Sequence, residues 1–128
     1  IIEIFEKKPV AILLDKKKIF YLSDKIEIIE FKEEPKFEHL PYVIGEQKEF
    51  KKLYEKLKKL DFLLSSVKKF VLYESNRWDI EFKNNKIIKL PEINFEESIK
   101  NYLSLRNKNE FENYKIFDFR IENQLILK

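Results

Sequence analysis

The chain of 128 residues contains no cysteine, no methionine, one glycine, one histidine and four prolines. Each shortage excludes something. Without cysteine there is no disulfide, no thiolate nucleophile and no cysteine-ligated zinc. The lone glycine, Gly45, cannot supply the several that a dinucleotide fingerprint or a P-loop needs for close backbone approach to phosphate. No Gly-x-Ser-x-Gly elbow is present to carry a serine nucleophile. His39 has no second histidine with which to share a metal, and reads as an ordinary loop residue. No apolar run approaches the roughly 18 residues expected of a membrane-spanning helix, and no basic-then-apolar signal segment opens the chain. Neither sign of charge dominates: 26 Lys plus Arg face 23 Asp plus Glu, for a net charge of +3. The two signs are interspersed along the chain, unlike the one-sided basic surface of a nucleic-acid binder.

What is present is enough apolar side chain to fill one core. Hydrophobic residues make up 44% of the chain and aromatics 15%, with twelve Phe, which supports a single domain despite 38% charge. The sequence begins at Ile1, already inside a strand-like stretch, as expected of a piece of a longer protein.

Beta patterning opens the chain. Ile1–Phe5 is rich in branched and aromatic residues, Pro9 interrupts it, and Val10–Leu14 forms a second apolar run. Lys16–Lys18 predicts a solvated turn. Ile19–Leu22 and Ile26–Phe31 predict two strands around the turn-favouring Ser23-Asp24. Pro35 and Pro41 bracket a loop. Beyond Gly45, the apolar residues Phe50, Leu53, Tyr54, Leu57 and Leu60 recur at spacings of three and four, predicting an amphipathic helix over about Glu46–Leu60.

Strands return from Val67 to Tyr73, at Ile80 and Phe82, and over Ile87–Leu90, with Asn84-Asn85 as a tight hairpin turn because Asn tolerates positive φ. A second helix is predicted over Phe95–Arg106, burying Ile99, Tyr102, Leu103 and Leu105, with Asn94 as its N-cap and Glu96-Glu97 in its first turn. A last hairpin runs from about Tyr114 to Ile121, turns at Glu122-Asn123 and returns through Gln124–Lys128. The expected class is α+β: a mostly antiparallel sheet with two amphipathic helices packed on it.

Catalytic patterns are few. The adjacent carboxylates Glu33-Glu34 and Glu96-Glu97 do not face each other across a cleft, as glycosidase chemistry requires. Ser65-Ser66 has no nearby base in sequence. Phe117 and Phe119 could stack single-stranded nucleic acid, but with Ile121 they make the stripe of a core strand.

Five short motifs carry a resemblance. Arg77-Trp78-Asp79-Ile80 opens a hairpin that ends in Lys89-Leu90-Pro91, and Asp118-Phe119-Arg120 follows the second helix. Upstream lie Lys8-Pro9-Val10-Ala11, Phe20-Tyr21-Leu22-Ser23-Asp24 and Leu40-Pro41-Tyr42-Val43-Ile44-Gly45. In this order and spacing, they resemble the extracytoplasmic beta domain of the FtsQ/DivIB family of bacterial cell-division proteins. Departures are Phe119 for Leu, Ser23 for Ile, and Asn84-Asn85 where Asn-Gly is usual. The resemblance implies a beta domain over residues 9–128, preceded at residues 1–8 by the end of a POTRA domain or a bridging strand. It implies a single-pass inner-membrane protein with this domain on the periplasmic side at the division septum, and neither enzymatic activity, metal nor cofactor.

The partners it implies are FtsB- and FtsL-like divisome proteins, with no nucleic acid or small-molecule substrate. In the family a partner strand adds to the edge of the final hairpin, beside arginines that pair with the partner's acidic residues. Carried onto this chain, that site comprises Arg77, Arg120, Ile121, Glu122, Asn123, Gln124, Leu125 and Ile126. A terminal strand leaves one row of N–H and C=O groups for an incoming chain. Strand alternation would turn Asp118 and Arg120 outward, opposite Phe117 and Phe119; an Arg120–Asp118 surface pair is the structural alternative to a partner role. Trp78 is expected in the core. Two other readings stand beside this one: a different POTRA-linked binding module of the cell envelope, and a small hydrolase with a scattered site.

Overall fold

The computed structural model describes residues 8–128. Ile1–Phe5 and the boundary drawn for residues 1–8 therefore fall outside or at the margin of the described residues. Nine strands form one sheet: β1 (Pro9–Asp15), β2 (Lys18–Ser23), β3 (Ile28–Glu30), β4 (Tyr42–Ile44), β5 (Val67–Leu72), β6 (Trp78–Phe82), β7 (Ile87–Lys89), β8 (Ile116–Asp118) and β9 (Ile126–Leu127). Their order across the sheet is β3-β2-β1-β4-β5-β6-β7-β8-β9. Two helices, α1 (Gln47–Lys59) and α2 (Phe95–Leu105), complete the α+β architecture.

The sheet is mixed. Hairpins make five of the neighbouring pairs antiparallel. The pairs β1–β4, β4–β5 and β7–β8 are parallel. Two of these parallel pairs exist because a helix carries the chain back across the sheet, α1 between β4 and β5, α2 between β7 and β8. The interior strand β4 is not predicted from the sequence, where Tyr42–Ile44 stand in a motif leading to a helix. Three residues are too short for alternation to register, although Tyr, Val and Ile are strand formers.

Both helices lie within a residue or so of their predicted spans. In α1, Phe50, Leu53, Tyr54 and Leu57 are buried, and in α2 Ile99 and Tyr102 are. They cover one face of the sheet. Phe50 meets the rings of Phe70 and Trp78 at 5.0 and 5.8 Å, and Tyr102 stacks on Phe82 at 5.2 Å and meets Phe117 edge-on at 5.1 Å. Trp78 is thus a core anchor, as expected. Such offset and edge-on ring pairs contribute roughly 0.5–1.5 kcal/mol each beyond the apolar area they bury.

Turns explain how a chain with one glycine closes its corners. Asn76, Asn85, Asn94 and Asn123 all take positive φ, a region Asn enters more readily than other side chains. At the β6–β7 hairpin, Asn84 Oδ1 also accepts the Lys86 N–H at 3.1 Å. Asn94 sits at the N-cap of α2, but in that left-handed conformation its side chain makes no capping bond, so the expected cap is not formed. Gly45 answers a different demand: a Cβ there would lie 2.7 Å from Leu72 Cβ.

Two strands are shorter than predicted. Ile26 belongs not to a strand but to the turn before β3, with φ 59 and its side chain fully buried, while Ser23 Oγ accepts the N–H groups of Lys25 and Glu27. The last hairpin pairs only over Ile116–Asp118 and Ile126–Leu127; residues 119–125 form an arched loop that turns at Asn123. Asp118 explains the early end of β8. Its carboxylate captures the Arg120 N–H, a local bond that bends the chain away from the ladder.

Candidate partner-binding site

The sheet has two margins, β3 and β9, and β9 is the one beside the predicted site. Ile116 and Lys128 exchange both of their backbone bonds, at 3.0 and 3.1 Å. In an antiparallel pair the bonded and non-bonded residues alternate. Ile126 therefore directs its N–H and C=O toward β8, and Leu127 directs its own away from the sheet. No described strand pairs with that outward side. Leu127 also packs its side chain against the core, which fixes the direction of the outward groups.

Beside this margin, the 119–125 loop, residues 91–94 and one flank of α2 enclose a groove of about 840 Å³. Seven of the eight predicted residues line it: Arg77, Arg120 and Ile121 through Leu125. The eighth, Ile126, lies on β9 itself. Ile121 and Ile93 are exposed large apolar side chains at its mouth, and Phe119 is buried at its wall. The sequence reading missed the contribution of α2 and of Ile93, because no periodic pattern records which loop a helix flank will face.

The face of the sheet opposite the helices carries an ionic ladder. Cross-strand register sets Val71, Asp79, Lys89, Asp118 and Ile126 in one row. Arg77 Nη1 donates to Asp79 Oδ1 at 2.5 Å, and the Tyr73 ring lies 4.6 Å from the Arg77 guanidinium. Arg120 binds Asp118 with Nε at 2.9 and 3.1 Å and with Nη2 at 2.6 Å. Lys89 sits between the two carboxylates in register.

The outward face expected for Asp118 is correct, but its exposure is not. Its side chain is 5% exposed, whereas Arg120, which covers it, is 44% exposed. Phe117 and Phe119 are buried on the core side, as expected. The hydrogen bonds from Arg120 hold the Asp118 carboxyl below the usual carboxylate range, against the opposing effect of burial, with help from the charge of Lys89. Arg77 is only 14% exposed beneath Tyr73, so of the two predicted arginines Arg120 is the accessible one. Burial, then the Asp79 charge, raises the Tyr73 phenol. The mirrored spacing Arg77-x-Asp79 and Asp118-x-Arg120 was the readable signal for this ladder, since residues two apart share a face of an extended chain.

Among the described residues no group of three His, Cys, Asp or Glu could hold a metal. His39 lies in a separate shallow depression with Tyr42, Ile44 and three lysines.

The chain thus forms a mixed sheet covered on one face by two crossover helices and ending in a half-paired strand beside a groove. Residues 11–120 match the family model described as "Cell division protein FtsQ/DivIB, C-terminal". The chain belongs to that family of cell-division proteins. It is 32% identical over 131 residues to the cell division protein FtsQ of Rickettsia bellii, and 33% identical over 132 residues to that of Rickettsia typhi. In each case the match covers 99% of the chain and 49% of the relative, so the chain spans about half the length of these relatives. The fold is similar, at a TM-score of 0.51 and 14% identity, to the major extracytoplasmic domain of the cell division protein DivIB of Geobacillus stearothermophilus, covering 82% of this chain and 99% of that one. No helix among the described residues is long and apolar enough to cross a membrane.

Proposed function

We propose that this domain is a non-catalytic docking module of the bacterial division machinery. It holds FtsB- and FtsL-like proteins at the septum by accepting a partner strand along the outward side of β9. Its place is the periplasmic side of the inner membrane, tethered by an anchor upstream of this chain. The observation that supports the reading is the half-paired β9, with Leu127 presenting unpaired backbone groups beside the groove that Arg120 borders. Strand addition supplies affinity through main-chain bonds, the groove selects an apolar side chain, and Arg120 selects an acidic one. The opposite margin, β3, has no comparable groove among the described cavities; Glu30 stands on it, a charge that discourages edge pairing.

The test leaves the domain untouched. A synthetic peptide carrying the extracytoplasmic segment of the FtsB-like protein of the same genome is N-methylated one residue at a time and titrated against the chain. Strand addition predicts a period of two, with alternate positions weakening binding by tenfold or more and the others tolerating the methyl. A flat profile would sink the strand-addition reading.

A further inference from the structure

The arginine that borders the groove is not a loose surface side chain. A guanidinium has five N–H donors and two edges that fit a carboxylate: a side edge of Nε and Nη2, and an end edge of Nη1 and Nη2. Asp118 occupies the whole side edge, through both carboxylate oxygens, and also accepts the Arg120 backbone N–H at 3.0 Å. On the end edge Nη2 already gives one N–H to Asp118, while Nη1 makes no hydrogen bond within the described residues, on a side chain that is 44% exposed. Asp118 is itself held from behind, buried and flanked in register by Lys89, whose other neighbour is Asp79 with its own partner Arg77. The ladder comprises three cations and two carboxylates, so one positive charge is left over, and of the three cations Arg120 is the most exposed.

We propose that Asp118 is a positioning residue for partner recognition: it fixes the Arg120 plane so that a partner's carboxylate docks on the end edge, giving a carboxylate–guanidinium–carboxylate row beside β9. The inference rests on the docking reading above and adds to it the identity of the group that prepares the site. Holding a long side chain in its bound geometry before association removes the cost of ordering it on binding and confers orientation that a flexible cation lacks. Lysine cannot take the role, because an ammonium is a point charge that cannot serve two coplanar carboxylates.

This makes a counter-intuitive requirement. Removing the Asp118 charge makes the site more positive, so simple attraction of an acidic partner would tighten binding, whereas loss of positioning weakens it. The experiment titrates the same peptide against the chain carrying Asp118→Asn, Arg120→Ala, Arg120→Lys, or Asp118→Asn with Arg120→Ala, with urea unfolding run on each as a check of the fold. Positioning predicts that Asp118→Asn weakens binding by about three- to tenfold, that Arg120→Lys is as weak as Arg120→Ala, and that the double variant is no weaker than Arg120→Ala alone. Unchanged or tighter binding by Asp118→Asn would overturn the inference while leaving the docking site standing. So would an equal loss from Asp118→Asn in the Arg120→Ala background, which would mark a purely structural role. Arg120→Lys, whose side chain is solvent-facing, keeps the test decisive if Asp118→Asn fails to fold: wild-type affinity in that variant refutes positioning. If Arg120→Ala itself binds normally, Arg120 takes no part in recognition and this inference falls, while strand addition stands or falls on the N-methyl profile.

Discussion

The two helix-crossover units of this sheet are built alike and finished differently. In β4–α1–β5, both strands have neighbours on either side, and four side chains of α1 are buried beneath the helix. In β7–α2–β8 the helix buries less, its flank opens into a groove, and the following strand, β9, is paired for two residues only. The first unit resembles a closed interior. The second leaves backbone, an apolar trough and a guanidinium edge to be satisfied from outside. On the docking role proposed above, stability and recognition fall to opposite halves of one sheet, and substitutions in each half should have separable effects.

The largest expected effect falls in the closed half. Phe50→Ala removes a fully buried ring that touches Phe70, Trp78 and Tyr54, and should destabilise the domain by about 3–5 kcal/mol in urea unfolding. Peptide affinity extrapolated to the folded fraction should be unchanged. A comparable loss of affinity would break the division between halves.

Next comes the brace between the halves. Lys86, at the tip of the β6–β7 hairpin, donates its ammonium to the carbonyls of Glu112 and Tyr114 at 3.0 Å each and lies 3.4 Å from that of Phe111. The same ammonium sits 5.6 Å from the Phe117 ring centre. It therefore fastens the loop that leads into β8. Lys86→Met keeps the stem and removes the donors, leaving carbonyls to find water. A stability loss of about 1–2 kcal/mol is expected, together with weaker peptide binding, because β8 is the template on which β9 lies. Lost stability without lost affinity would place the brace outside the recognition half.

The smallest effect is a change with pH. Because the folded Asp118 carboxyl titrates below the ordinary range, the stability it contributes is present above the unfolded carboxylate value. That stability is lost as pH falls below about 4 and through the lowered folded value. Wild type should therefore lose its advantage over Asp118→Asn, on the order of 1 kcal/mol near neutrality, as denaturation is repeated from pH 7 down to pH 3. A constant difference between the two would mean that the Asp118–Arg120 pair is not what holds the carboxylate charged.

These comparisons also show what the sequence makes legible. The helices are readable because Phe50, Leu53, Tyr54 and Leu57 repeat with the helical period, and Ile99 and Tyr102 do so more briefly. The groove beside β9 is legible through motif order and through the position of the last hairpin, which brings seven predicted residues to it. Three features escape a linear reading. Tyr42–Ile44 is an interior strand too short to show alternation. Asp118 is an outward residue by period and a buried one in fact, because its own neighbour Arg120 folds over it. The hairpin itself is shorter than its apolar residues suggest, because a side-chain bond from Asp118 competes with the ladder at the place where β8 would continue.

The single glycine has a consequence for how far such a chain can drift in composition. Four corners that demand an unusual torsion are served by asparagine, which reaches that torsion at modest strain and adds a polar group to the bend. Gly45 cannot be traded the same way, since the obstacle there is occupied volume, a neighbouring carbon already standing where the first side-chain atom would go. Mutational bias can therefore erode glycine wherever the fold asks only for a direction of rotation, and it halts at the one point where two atoms would claim the same space.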